Sequence, residues 1–259
     1  MIYNFSAIIL SAGFSSRMGG FKPLLQLGDK TLIENAVHLF LSAGVRDIIA
    51  VTGFGEEKLK DVLQRLKISY IKNPLYEEGM FTSVKAGISA LGSCDAFFIL
   101  PVDIPLVNKG TIEALKRAFS GERNILYPVF RGKRGHPPLI SANYTNDILQ
   151  YNGDNGLSGF LKQHDNIARE IRVTDKGILL DCDEPEDYNY IVKRFESGVP
   201  EQEEIDELYR IYGLDDNIIS HCRAVARKAC RAGLRGWSLQ REFEADLAPR
   251  GRWSHPGRS

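Results

Sequence analysis

The chain has 259 residues, about 1.7 typical domain lengths, so one large domain with an addition fits better than several small ones. Hydrophobic residues at 43% and charged residues at 25% exclude a disordered, collagen-like or coiled-coil chain; 33 basic against 33 acidic side chains give no overall pull toward nucleic acid or an anionic membrane. No apolar run reaches the roughly 18 to 20 residues that cross a bilayer, no basic region precedes the first apolar stretch, and the four cysteines form no CxxC pair, so a soluble, unexported, cytoplasmic protein with reduced thiols is expected.

Phe5 to Leu10 is a short β-rich run that stops at Ser11-Ala12-Gly13, and Thr31 to Ala43 carries apolar residues near helical spacing. The alternation continues with strand over 47–52, helix over 56–66, strand over 68–71, helix over 81–91 and strand over 96–100. Fully apolar strands such as Ala96-Phe97-Phe98-Ile99-Leu100 imply burial on both faces, which an α/β fold satisfies: a Rossmann-like, mostly parallel sheet flanked by helices. A helix over 111–119 and a strand over 125–130 follow, and then the rhythm breaks, predicting insertions over the sheet. Short strands near Ile171 and over 178–180 precede a helix over 185–195, with Pro185 in its first turn. Ser197-Gly198-Val199-Pro200 interrupts the pattern, so the expected division is a domain over 1–197, a helical appendage over 198–232 and a disordered tail over 233–259.

The stretch from Leu10 to Leu25 follows the first strand and contains Ser15, Ser16, Arg17, Gly19, Gly20 and Lys22. It is neither a Walker A loop nor a GxGxxG loop, but it has the parts of a phosphate cradle. Small residues let backbone N–H groups converge on an anion, and Arg17 and Lys22 supply charge. Asp103, in Leu100-Pro101-Val102-Asp103-Ile104-Pro105, stands just beyond a buried strand, where open α/β sheets bind ligands and where a carboxylate suits Mg²⁺. Asp181 and Asp183 are two positions apart on an expected strand end, so they can share a face and either can complete such a site; Asp183 is also a good N-cap for the following helix.

The pattern LxAGxSxRMGxxKxLL resembles the signature of MobA-like nucleotidyltransferases, particularly the molybdenum cofactor cytidylyltransferase branch, and the resemblance spans residues 5 to 195. Members of that family move a nucleoside monophosphate from an NTP to a phosphorylated acceptor and release pyrophosphate. The resemblance implies nucleotide contacts for Leu10, Ser11, Ala12, Gly13, Ser15, Ser16, Arg17 and Lys22, with Arg17, Lys22 and Asp103 as the catalytic set. Gly79-Met80-Phe81-Thr82-Ser83, after Asn73-Pro74, is similar to a second nucleotide segment and adds Gly79 and Ser83. It further implies Mg²⁺ on Asp103 with Asp181 or Asp183, where Asp181-Cys182-Asp183-Glu184-Pro185-Glu186-Asp187 resembles a family segment but departs at Cys182 and Glu184.

Arg131 to Pro137 and Gly153 to Gly159 resemble the family's acceptor loops and suggest acceptor contacts from His136, Pro137, Asp154 and Gly156. The implied partners are CTP or another NTP, a phosphorylated acceptor of molybdopterin type, and a molybdoenzyme recipient. The rival readings are transfer to a sugar, inositol or polyol phosphate, and a non-catalytic delivery protein. His221-Cys222-Arg223 resembles the start of an HD-type phosphohydrolase domain, but the His-Asp pair that names that domain is missing, so a truncated remnant without hydrolase function is expected.

Overall fold

A computed structural model of the chain describes residues 3–14, 18 and 20–231. The strands are β1 (Phe5–Ser11), β2 (Gln26–Leu27), β3 (Lys30–Thr31), β4 (Asp47–Thr52), β5 (Ser69–Lys72), β6 (Ala96–Pro101), β7 (Ile125–Phe130), β8 (Lys133–Arg134), β9 (Leu139–Ser141) and β10 (Ala168–Arg172). The helices are α1 (Leu32–Ser42), α2 (Glu56–Leu66), α3 (Met80–Ser89), α4 (Lys109–Ala118), α5 (Thr145–Gln150), α6 (Gly156–Lys162), α7 (Pro185–Ser197), α8 (Gln202–Ile211) and α9 (Asp216–Arg231).

The main sheet has the order β10-β7-β9-β6-β1-β4-β5, with β8 paired to β7. β1 is central, parallel to both β4 and β6. β9 runs antiparallel between β6 and β7, so the expected mostly parallel sheet is found, with one reversed strand inside it. β2 and β3 form a separate two-stranded hairpin ahead of α1. Thr31 caps α1 through a capping box with Glu34, which fixes where the hairpin ends and the helix begins.

Every residue of β6 and β7 is buried, as their uninterrupted apolar sequences require. Phe40, Phe98, Leu115 and Ile191 belong to the core on one face of the sheet, while Ile8, Val84, Phe97 and Tyr144 belong to that on the other. No helix among the described residues is long and apolar enough to cross a membrane.

Three local expectations are corrected. Residues 176–179 form a 3-10 turn, not a strand, because the Asp175 side chain accepts from Gly177 N and closes the backbone into a turn. Asp181 and Asp183 therefore lie on an irregular link and not on a strand face. The N-cap of α7 is Glu184 and not Asp183: Glu184 and Asp187 form a capping box, and Asp187 Oδ2 also accepts from Asp183 N. The expected tail over 233–259 lies outside the described residues.

Candidate active site

The carboxyl ends of β1 and β6 lie side by side, with Leu10 in register with Pro101. Strand order reverses here, β4 and β5 extending to one side of β1 and β6 to the other, and ligands bind at such a crevice in open α/β sheets. Three segments distant in sequence meet at this edge. Lys22 begins a 3-10 turn anchored by buried Pro23. Its Nζ donates to Asp183 Oδ1 at 2.7 Å and to Asp103 Oδ2 at 3.4 Å. The Cys182 amide donates to Asp103 O at 2.8 Å, which ties the link carrying Asp181 and Asp183 to the end of β6.

Burial opposes the Lys22 charge, but the hydrogen bond it donates to Asp183 and the charges of both aspartates outweigh it and raise its pKa. Burial pushes the Asp103 carboxyl up; Lys22 opposes this, and the like charge of Asp183 adds to it. A half-buried carboxylate facing a second one across an ammonium is a donor set that gains from more positive charge. Among the described residues no cluster of three or more His, Cys, Asp or Glu side chains could cage a metal alone. Asp103 and Asp183 nonetheless fit Mg²⁺, which takes one or two carboxylates and fills its shell with phosphate oxygens and water. Asp181 is exposed and sits one residue to the other side of buried Cys182, whose thiol is pushed up to about 11, chiefly by burial.

The first loop is partly seen. Ser15, Ser16 and Arg17 lie outside the described residues. Leu10 is buried in the sheet and its carbonyl accepts from Val102 N. Ser11 is buried with its hydroxyl donating to Val51 O at 2.9 Å, so that side chain fastens β1 to β4. Ala12 O accepts from Phe54 N, and Gly13 faces open space.

On the second segment, Asn73 is buried and donates to Thr82 Oγ1 and Ser83 Oγ at 2.8 and 2.9 Å, while its own oxygen accepts from Leu75 N. Ser83 is thus inside a framework that holds the start of α3 against the end of β5. Gly79 precedes α3 with φ of 112°, a conformation that favours glycine.

In the segments expected to meet the acceptor, His136 N donates to Ile178 O at 3.0 Å and the His136–Pro137 peptide is cis. Gly135 leaves no room for a side chain, since a Cβ would stand 2.5 Å from Ile178 O. Burial lowers the His136 pKa against the opposing effect of a backbone hydrogen bond at Ile99 and the charges of Asp103 and Asp181. Its Nδ1 is buried and has no partner. Asp154 is on the link into α6 and Gly156 begins that helix; this segment is attached to α3, where Lys85 donates to Tyr151 O and Asn152 Oδ1 and Gly156 faces Phe81.

Two groups that sequence reasoning missed organise this side. Asp175, 3% exposed, accepts from Asn108 N, Thr111 Oγ1 and Gly177 N, and burial pushes its carboxyl up to about 6 against those bonds. Lys176 joins the same turn to Glu201. The run Asp175-Lys176-Gly177 is an Asx-turn signal, the one local clue that this stretch would not pair as a strand.

The model of the MobA-like NTP transferase domain matches residues 7–167. The chain belongs to this family. It is 30% identical over 190 residues to the molybdenum cofactor cytidylyltransferase of Escherichia coli K12, an alignment that covers 73% of this chain and 95% of that one. It is also 30% identical over 144 residues to a probable molybdenum cofactor guanylyltransferase of Thermococcus sibiricus, covering 55% and 70% of the two chains. A nucleotidyl transferase structure from Methanothermobacter thermautotroptrophicus superposes with a TM-score of 0.66 at 23% identity, over 74% of this chain and 98% of that one. The expected family and fold are thereby shown, and the chain is a nucleotidyltransferase. The family match ends at residue 167 and does not reach the HD-type resemblance at 221–223; His221 is exposed on α9.

Proposed function

We propose that this MobA-like transferase moves CMP from CTP to a molybdopterin-type cofactor in the cytoplasm, releases pyrophosphate, and hands the product to a molybdoenzyme. The observation that carries the reading is Lys22 Nζ held between Asp183 and Asp103, at 2.7 and 3.4 Å, at the crevice beside β1. The 30% identity with a cytidylyltransferase over nearly its whole length supports the choice of nucleotide and acceptor.

Lys22 offsets charge on the departing pyrophosphate, and Arg17 adds to it. Asp103 and Asp183 would hold Mg²⁺, which would supply positive charge to offset that of the phosphates. In this reading backbone groups of Leu10 to Gly13 line the nucleotide, Gly79 and the framework around Ser83 extend that wall, and Ser15 and Ser16 are assigned to nucleotide binding from the sequence. His136, Pro137, Asp154 and Gly156 face the acceptor. No protein nucleophile is needed, because a phosphomonoester is already largely ionised near neutral pH and positioning with electrostatics suffices.

The test is pyrophosphate release with Mg²⁺ and each of CTP, GTP, ATP and UTP, with and without molybdenum-loaded molybdopterin. Release selective for CTP and dependent on that acceptor is the expected result. Release with CTP and a sugar or polyol phosphate instead would redirect the acceptor assignment, and selectivity for GTP would overturn the choice of base.

A further inference from the structure

Helix α8 is attached to the domain in an unusual way. Its two fully buried side chains are both acids, Glu204 at 6% and Glu207 at 3% exposure, and no apolar side chain on it is fully buried. A helix added for its contribution to a core would bury Ile205 and Leu208 instead. What holds its first turn is charge. Lys176 Nζ pairs with Glu201 Oε2 at 2.7 Å and Glu203 Oε2 at 2.9 Å, and Lys176 N donates to Glu204 Oε1 at 3.0 Å. Arg194 on α7 pairs with Glu201 and Glu204 at 3.0 and 2.5 Å, and Arg131 pairs with Glu203 at 3.2 Å.

The cations in this network belong to the segments that frame the acceptor side. Lys176 opens the turn whose Ile178 carbonyl holds the His136 amide, and that turn leads directly to Cys182, bonded to Asp103, and to Asp183, bonded to Lys22. Arg131 begins the loop that ends in His136. The family match stops at residue 167, so all of the network except Arg131 is built beyond it.

We propose that the first turn of α8 is a positioning clamp: Glu201, Glu203 and Glu204, acting through Lys176, Arg194 and Arg131, hold the 176–183 link and the 131–136 loop in the geometry that acceptor and Mg²⁺ require. The proposal rests on the functional reading above for what is positioned, and on the ion pairs for how. Partly buried ion pairs contribute little net stability after desolvation, but they admit few alternative arrangements, which is what a positioning element needs. None of the three glutamates touches the reacting groups.

The experiment uses the full chain and the variants Lys176→Met and Glu203→Gln, plus Lys176→Arg, which keeps the charge that Glu201 and Glu203 meet. Amide hydrogen exchange is read residue by residue, and KM is measured separately for CTP and for molybdopterin. Lys176→Met should speed exchange over 176–184 and 131–136 about tenfold and raise the acceptor KM and the Mg²⁺ requirement by about the same factor, as loss of outer-shell support does. CTP KM at saturating Mg²⁺ and the exchange of β1, β4 and α1 should be unchanged, and Lys176→Arg should show only a small part of the loss. Equal changes in both KM values, uniform acceleration of exchange, or unaltered exchange in the two segments would overturn the clamp. If Lys176→Met does not fold, Glu203→Gln, which removes an exposed carboxylate charge, decides on the same criteria. Exchange needs no turnover, so a failed transferase assay would count against the proposed acceptor and leave the clamp to be judged by its own readout.

Discussion

The two flanks of β1 are built from different materials. Toward β5 the strands are all parallel, and the polar groups near the site are neutral and satisfied among themselves, as in the Asn73, Thr82 and Ser83 framework. Toward β10 the sheet contains a reversed strand, and the segments near the site are fixed by charges: Asp175, Lys176, Arg194 and the acids of α8. The first flank is held by strand pairing and neutral side-chain bonds that need no charge; the second depends on ion pairs between segments far apart in sequence.

Lys22 is the joint between these flanks, so the largest effect should come from the carboxylates it holds. Asp103→Ala should lower kcat about 10²- to 10³-fold, the scale of losing one preorganised electrostatic partner, with little change in CTP affinity measured without metal. Asp183→Ala should cost less, because the Asp183 side chain is 46% exposed against 26% for Asp103 and solvent replaces part of what it provides. Steady-state pyrophosphate release beside calorimetric CTP binding checks both. A larger loss at Asp183 than at Asp103 would place the metal nearer α7 than to β6.

How much of this was legible beforehand follows from which interactions are local. The strands over 47–52 and 125–130 coincide with the observed β4 and β7, because their ends are marked by a sharp change from apolar to polar or turn residues. The strand expected over 178–180 failed because an Asx turn at Asp175 competes with pairing, and side-chain capture of a backbone amide does not register in apolar periodicity. α5, β8 and the β2–β3 hairpin are too short to carry a period. The meeting of Lys22 with Asp103 and Asp183 joins positions 81 and 161 residues apart; periodicity is blind to such pairs, and the family resemblance supplied them. The burial of Glu204 was illegible for a different reason. The spacing of Ile205 and Leu208 reads correctly as a helix, but burial of an acid depends on Arg194 arriving from another element.

The charged flank should also respond to pH in two opposite senses. Asp175 is raised from 3.8 to about 6, so between those values the folded state holds a proton that the unfolded chain has released. Its contribution is therefore complete below about pH 4 and is lost as pH rises through 6, on the order of 3 kcal/mol at most. Glu201 is lowered from 4.5 to about 2, first by its hydrogen bond with Lys176, so its contribution is present above pH 4.5 and is lost as pH falls toward 2. Urea melts of Asp175→Asn should accordingly compare more favourably with the parent at pH 7 than at pH 4.5. Those of Glu201→Gln should compare more favourably as the pH falls from 5 to 3. Parallel pH profiles for the two variants would show that the acids do not titrate as separate groups.

The smallest effect should separate the flanks by burial alone. Arg65 and Glu34 form a 2.8 Å ion pair on the β5 flank, with the arginine side chain 67% exposed. Arg194 and Glu204 form a comparable pair on the charged flank, with side chains only 12% and 7% exposed. Glu34 keeps its capping bonds to Thr31 when the arginine is removed, and burial, which raises its pKa, ranks below the Thr31 backbone bond that lowers it. Arg65→Ala should therefore shift the urea midpoint by less than about 0.5 kcal/mol, with salt erasing most of that, as for exposed pairs generally. Glu204 likewise accepts backbone amides, from Lys176 and Glu201, but Glu204→Gln removes the charge opposite an Arg194 side chain only 12% exposed, which costs more than removing the exposed Arg65. A loss at Arg65 as large as that of Glu204→Gln would mean that the β5 flank, too, depends on charge for its shape.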